Sequence, residues 1–252
     1  MGLVLALAGA IPALVLMWWV DTHDARRPEP RHLLRLVAVG GGLATIPCII
    51  AQVGLTKIYG SEGVNGALFT AYITAALTEE TAKALVLWLL VWRHPSFDER
   101  FDGIVYATRA GLGFALVENI GYLLGTESVG GYFGVYVLRA VLAVPGHAIY
   151  AGFMGHFAAR KRFDGEGPGL LGGLIVAIFL HGTYDAALFL VGALPRELAI
   201  FGLFLLPVPF IVVFAGYRKL RALGAEDIAR DDAAHHRVPV TKLPFGVGFV
   251  LR

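Results

Sequence analysis

Charge is what this chain has least of. Only 16% of its 252 residues are Asp, Glu, Lys or Arg, against 57% hydrophobic residues. A soluble domain of this length carries nearer a quarter charged residues, so a water-exposed globule is excluded. One cysteine, Cys48, stands alone in an apolar run, which excludes a disulfide framework. The net charge of +2 is small and unevenly placed, a bias among loops that argues against nucleic-acid binding. No repeat of fixed period and no HExxH element occurs.

What is present is a series of long apolar runs. Spans read as 3–20, 33–53, 67–92, 103–125, 132–159, 169–193 and 198–217, each long enough to cross a bilayer. The fold expected is therefore all-α, a polytopic bundle of about seven spans. The first run contains Ala6-Leu7-Ala8, which resembles a cleavage site, but no basic segment precedes it and its arginines follow it, as in an anchor. Loop charges alternate. Arg26, Arg27 and Arg31, then Arg93 and Arg100, then Arg160, Lys161 and Arg162 lie on one side, with Arg218, Lys219 and Arg221 after the last span. The other side has only Lys57 and Arg196. By the positive-inside rule the N-terminus is outside and the C-terminus cytoplasmic. Residues 1–222 read as one transmembrane bundle, with site helices within 67–193. Residues 223–252 read as a cytoplasmic tail without fixed structure, whose last part, 238–252, has the character of a vector-derived extension.

The most informative stretch is Thr78-Glu79-Glu80-Thr81-Ala82-Lys83, in the middle of the third span. Three central charges cost about 8–10 kcal/mol, while the apolar residues around them return about 3–6. The helix must face others that satisfy these groups. Glu118 and Asn119 lie in the fourth span, His147 after Pro145 in the fifth, and His181 and Asp185 in the sixth. All fall in one layer, displaced slightly toward the outer face. Glu79 with Lys83, and His181 with Asp185, are four residues apart and share a helix face. Acid and imidazole groups at matching depth suit proton transfer, and two His with carboxylates also suit a metal with one position left for water. Glu118, His147 and His181 are the metal ligands expected, zinc the metal. Hydrolysis by Glu and His alone fits the residues equally well. A bland alternative is an interhelical salt-bridge node or a polar scaffold core. A proton- or cation-coupled transporter would use the same carboxylates, but the polar groups cluster in one half of the chain without inverted repeats.

As an ordered set, these elements resemble the PrsW family of intramembrane proteases. Glu79-Glu80-Thr81-Ala82-Lys83 resembles an EExxK element, Phe114 to Glu118 an FxxxE element, and Pro145-Gly146-His147 and His181-Gly182-Thr183-Tyr184-Asp185 the later histidine motifs. The related CAAX prenyl proteases carry EExxxR, FxxxH and HxxxN/D. Lys83 comes one residue early for that pattern and Glu118 replaces its histidine, which favours the PrsW branch. The resemblance implies a protease in a prokaryotic cytoplasmic membrane, cutting a membrane-anchored, anti-sigma-factor-like protein at a first regulated site on the extracytoplasmic side. It assigns catalysis to Glu79, Glu80, Glu118, His147, His181 and Asp185, with Lys83 and Asn119 as charge partners. Either Glu79 or Glu80 would take the proton from water, with His181, steadied by Asp185, stabilising the oxyanion directly or through a metal.

Overall fold

The computed structural model describes residues 6–23, 27–126 and 128–236, and all regular structure among them is helical. The helices are α1 Ile11–His23, α2 Arg31–Leu43, α3 Thr45–Tyr59, α4 Gly63–Phe69, α5 Thr78–Leu90, α6 Arg100–Leu124, α7 Val129–Leu138, α8 Val144–Asp164, α9 Gly169–Ala193, α10 Ala199–Leu205 and α11 Val208–His236. Several run on from one another, so they form the seven rods expected. Rods Arg31–Tyr59, Gly130–Asp164, Gly169–Ala193 and Arg196–His235 are long and apolar enough to cross a membrane, and Ala6–Thr22 is a shorter apolar helix. Helix α6, at 25 residues, is roughly 37 Å long. Large apolar side chains point outward along the rods, among them Ile50, Leu89, Leu171 and Phe204. The bundle thus turns a hydrophobic surface to its surroundings and its ionisable residues inward, the arrangement lipid demands.

Helix α6 is the central rod, packed on α8, α2 and α1. Glycine makes its closest approaches possible. A Cβ on Gly155 would run into the Gly103 carbonyl oxygen and the Ala107 methyl, and one on Gly111 would lie 2.5 Å from the His147 carbonyl oxygen. On the opposite face, Gly113 and Gly41 meet the backbone of α2 and α6 in the same way. These are backbone-to-backbone contacts between helices, available only where side chains are missing. Gly121 and Gly125, four residues apart, meet nothing outside their own helix turn among the described residues and mark no crossing.

Two rods change helical pitch on entering the site. Residues Thr70–Leu77 form a π-helical segment before α5, and Arg139–Ala143 form another before α8. The second has a cause in the sequence. Pro145 cannot donate to the carbonyl of Val141, so the α-helical ladder cannot pass through it. In the first, the Thr78 hydroxyl donates to the carbonyls of Thr74 (2.6 Å) and Ala75 (3.1 Å).

Residues 223–236, expected in an unstructured tail, differ from that reading: they continue α11 and pack back on the bundle. Asp227 and Asp231 are buried. Asp227 Oδ2 lies 2.6 Å from His156 Nδ1, and Asp231 Oδ1 lies 2.7 Å from Arg100 Nη1. Polar composition misled because the charges are spent on neighbouring helices. Residues 237–252 lie outside the described residues.

Candidate active site

Each motif brings its side chains to the bundle interior because it lies where two rods approach closely. The Gly111–His147 and Gly103–Gly155 contacts hold α6 against α8, so Glu118 on α6 meets His147 on α8. His147 Nε2 lies 2.9 Å from Glu118 Oε2. Helix α9 is held to the first π segment where the Tyr72 ring fills the space above Gly182 and its hydroxyl sits 3.0 Å from Thr183 Oγ1. That places His181 beside α5, with Nδ1 2.8 Å from Glu80 Oε1.

Lys83 is the hub. It is fully buried, and its Nζ lies 2.7 Å from Glu80 Oε1, 2.7 Å from His147 Nδ1 and 3.8 Å from Glu79 Oε2. An ammonium can only donate, so His147 Nδ1 must accept and its Nε2 must carry the proton given to Glu118. The tautomer of His147 follows from its two neighbours. Phe114 lies beneath this hub, 4.5 Å from Nζ, and 5.7 Å from the His147 ring. His181 faces carboxylates from both nitrogens: Glu80 at Nδ1, Asp185 Oδ2 3.3 Å from Nε2, and Glu79 Oε2 3.9 Å from Nε2.

The two glutamates of the pair differ. Glu80 Oε1 is shared by Lys83 and His181. Glu79 Oε1 accepts from Gln52 Nε2 at 3.1 Å. The Oε2 of Glu80 and the Oε2 of Glu79 are both buried without a hydrogen bond, and that of Glu79 stands near both histidines. That oxygen lies 4.0 Å from His147 Nδ1 and 3.9 Å from His181 Nε2. A buried carboxylate oxygen costs free energy when unpaired, so this one faces the place where water or a cation belongs.

All six residues expected in catalysis, together with Lys83, are thus brought into one cluster. The three donor atoms close enough to share a metal ion are not all from the expected set. Glu79, His147 and His181 supply three donor atoms within 4.8 Å of one another, and Glu118 is not among them. Glu118 Oε2 is instead held by Arg139 at 2.5 Å and by His147. Asn119 is buried and ties Arg139 (2.6 Å) to the Gly9 carbonyl (2.6 Å). Arg139, the first residue of the second π segment, turns inward to Glu118, a pairing that apolar periodicity does not encode. Gln52 and Tyr150 also escaped notice. Gln52 is an amide in an apolar run, a signal passed over in favour of ionisable groups. Tyr150 stands three residues after His147, on the same face; its ring stacks on His181 at 5.2 Å and its buried hydroxyl has no partner.

Comparison with known proteins gives the same direction as the geometry. The family model described as "PrsW family intramembrane metalloprotease" matches residues 29–216. The chain belongs to the PrsW family. Among similar curated proteins, Protease PrsW of Bacillus subtilis is 32% identical over 85% of this chain and 93% of its own. Protease PrsW of Clostridioides difficile is 32% identical over 73% of this chain and 79% of its own, and that of Halalkalibacterium halodurans 35% over 73% and 82%. No solved structure matches. This chain is therefore an intramembrane protease, an integral membrane protein whose substrate is itself in the membrane. The PrsW description as a metalloprotease accords with the buried Glu79, His147 and His181.

The donor set fits a divalent metal by its chemistry: one carboxylate and two imidazoles, with the buried Glu79 Oε2 lacking a hydrogen bond. One handover is required: Lys83 holds the Nδ1 lone pair of His147 and would have to release it, retaining Glu80.

Proposed function

We propose that this PrsW-family chain hydrolyses a peptide bond in a membrane-anchored, anti-sigma-factor-like protein, making the first cut on the extracytoplasmic side of a prokaryotic cytoplasmic membrane. The loop arginines support an N-terminus outside and a C-terminus inside. The observation that carries the reading is the unpartnered Glu79 Oε2, facing His147 Nδ1 and His181 Nε2 at about equal distance.

We place Glu79 as the carboxylate that takes a proton from water, because its Oε2 lies about equally far from His147 and His181, whereas Glu80, whose Oε2 also lacks a hydrogen bond, is held through Oε1 by Lys83 and His181. Glu80 positions Lys83 and His181. His181 Nε2 points into the same hollow, where Asp185 orients it to stabilise the oxyanion formed on attack. Glu118, neutralised by Arg139, fixes the ring of His147. With a divalent metal such as zinc bound instead, Glu79, His147 and His181 would hold it as ligands in place of those direct roles, and it would supply Lewis-acid polarisation of the water.

The test is reconstitution of the full chain in liposomes with a membrane-anchored anti-sigma-type protein, mapping the products by mass. A cut in the outer half of the substrate, lost on addition of a membrane-permeant chelator, is the expected result. Ion flux without any cleavage would overturn it in favour of a transporter.

A further inference from the structure

The arginine-rich end of the bundle holds a cavity that proteolysis does not use. It has a volume of about 480 Å³ and lies between the end of α1, the start of α2 and the adjoining part of α6, lined by Trp18, Asp21, Glu29, Arg31, Arg35 and Arg109 among others. We propose that this cavity binds the phosphate-bearing headgroup of an anionic phospholipid.

Charge, helix geometry and depth support this occupant. Arg31 and Arg35 are four residues apart on α2 and so project from one face. Neither makes an ion pair or hydrogen bond with a side chain among the described residues, whereas the buried Arg109 is already tied to Asp21 and to the Met17 carbonyl. Two guanidiniums are thus free, and a guanidinium matches phosphate with two parallel hydrogen bonds. The N-terminus of α2 opens at the same place. Pro30 caps it without a side-chain hydrogen bond and its first turn holds no acidic residue, so its positive end adds to the potential. Opposing charge is limited. Asp21 is neutralised by Arg109, and Glu29 is engaged by the Tyr106 hydroxyl. The cavity sits where the ends of the apolar spans put the membrane–water boundary, between three rods and beside Trp18, which is 67% exposed, as interfacial tryptophans are. Basic cavities between helices at that level take lipid phosphates.

The test uses the full chain, delipidated in neutral detergent, with thermal unfolding followed on addition of phosphatidylglycerol, phosphatidylcholine or inorganic phosphate. Phosphatidylglycerol should raise the midpoint and phosphatidylcholine should not. The R31Q/R35Q variant should unfold like wild type without lipid and bind phosphatidylglycerol about 25-fold more weakly, about fivefold per arginine. Its cleavage rate in neutral detergent should be unchanged, since neither arginine approaches the catalytic cluster. Equal response to the two lipids, or full response in the double variant, would overturn the proposal. A shift of equal size from millimolar inorganic phosphate would overturn the lipid as the occupant.

Discussion

Replacing Lys83 by methionine keeps the length of the side chain and removes its charge. The ammonium is fully buried, with Glu80 Oε1 and His147 Nδ1 each at 2.7 Å and Glu79 Oε2 at 3.8 Å. Without it, four carboxylates face one permanent cation, and Glu80 keeps only His181. Removing one partner of a buried ion pair costs about 3–5 kcal/mol, because the other charge remains in a low dielectric. For a chain of this size that is a fall of roughly 6–20 °C in the unfolding midpoint. The assay is thermal unfolding in detergent of wild type, Lys83→Met, Glu80→Gln and the double variant. Since the Glu80 charge is what Lys83 protects, the double variant should be less damaged than the sum of the singles, by about 1–3 kcal/mol. A Lys83→Met protein as stable as wild type, or strictly additive losses, would refute the hub assignment.

Further outcomes follow from the same coordinates. Gly155→Val should lose stability by at least about 1–3 kcal/mol, because its side chain meets the Gly103 carbonyl oxygen and the Ala107 methyl. Forcing α6 from α8 should also lower the cleavage rate through the 2.9 Å contact of Glu118 with His147, so an unchanged rate would sever that link. Outside the apolar spans, burial, together with the neighbouring Glu29, pushes the Asp102 carboxyl up to about 9. Its folded-state value lies above its unfolded one, so the stability it contributes is complete below about pH 4 and declines as pH rises toward 9. Asp102→Asn should therefore flatten the stability profile, removing a decline of up to about 4 kcal/mol, or roughly 8–16 °C, between pH 5 and 8. Equal profiles for the two proteins would contradict this.

The seven rods were legible because lipid forces a continuous apolar run for each crossing. So was the convergence of Glu79, Glu80, Glu118, His147, His181 and Asp185, because each interrupts such a run at a common depth. What could not be read was which partner each would take. Glu118 was expected to bind metal, and its Oε2 is held by Arg139. Arg139 opens the π segment Arg139–Ala143 on a different rod from Glu118, so their pairing is set by how the rods pack. Nor could the roles of Glu79 and Glu80 be separated, since adjacent residues on a helix differ by about 100° and only the packing of α9 decides which one His181 meets. The helical continuation of residues 223–236 was hidden for a related reason. Its acidic residues read as solvated until Arg100 and His156, distant in sequence, are seen to receive them.

Glu79→Gln tests the central claim most directly. The amide keeps the volume, and its oxygen can still accept from Gln52 at the position of Oε1. The other oxygen, which becomes the amide nitrogen, has no hydrogen bond to lose. The unfolding midpoint should therefore stay close to that of wild type while cleavage of the reconstituted substrate falls at least about a hundredfold. Cleavage within threefold of wild type would contradict the assignment of that free oxygen to the reacting water.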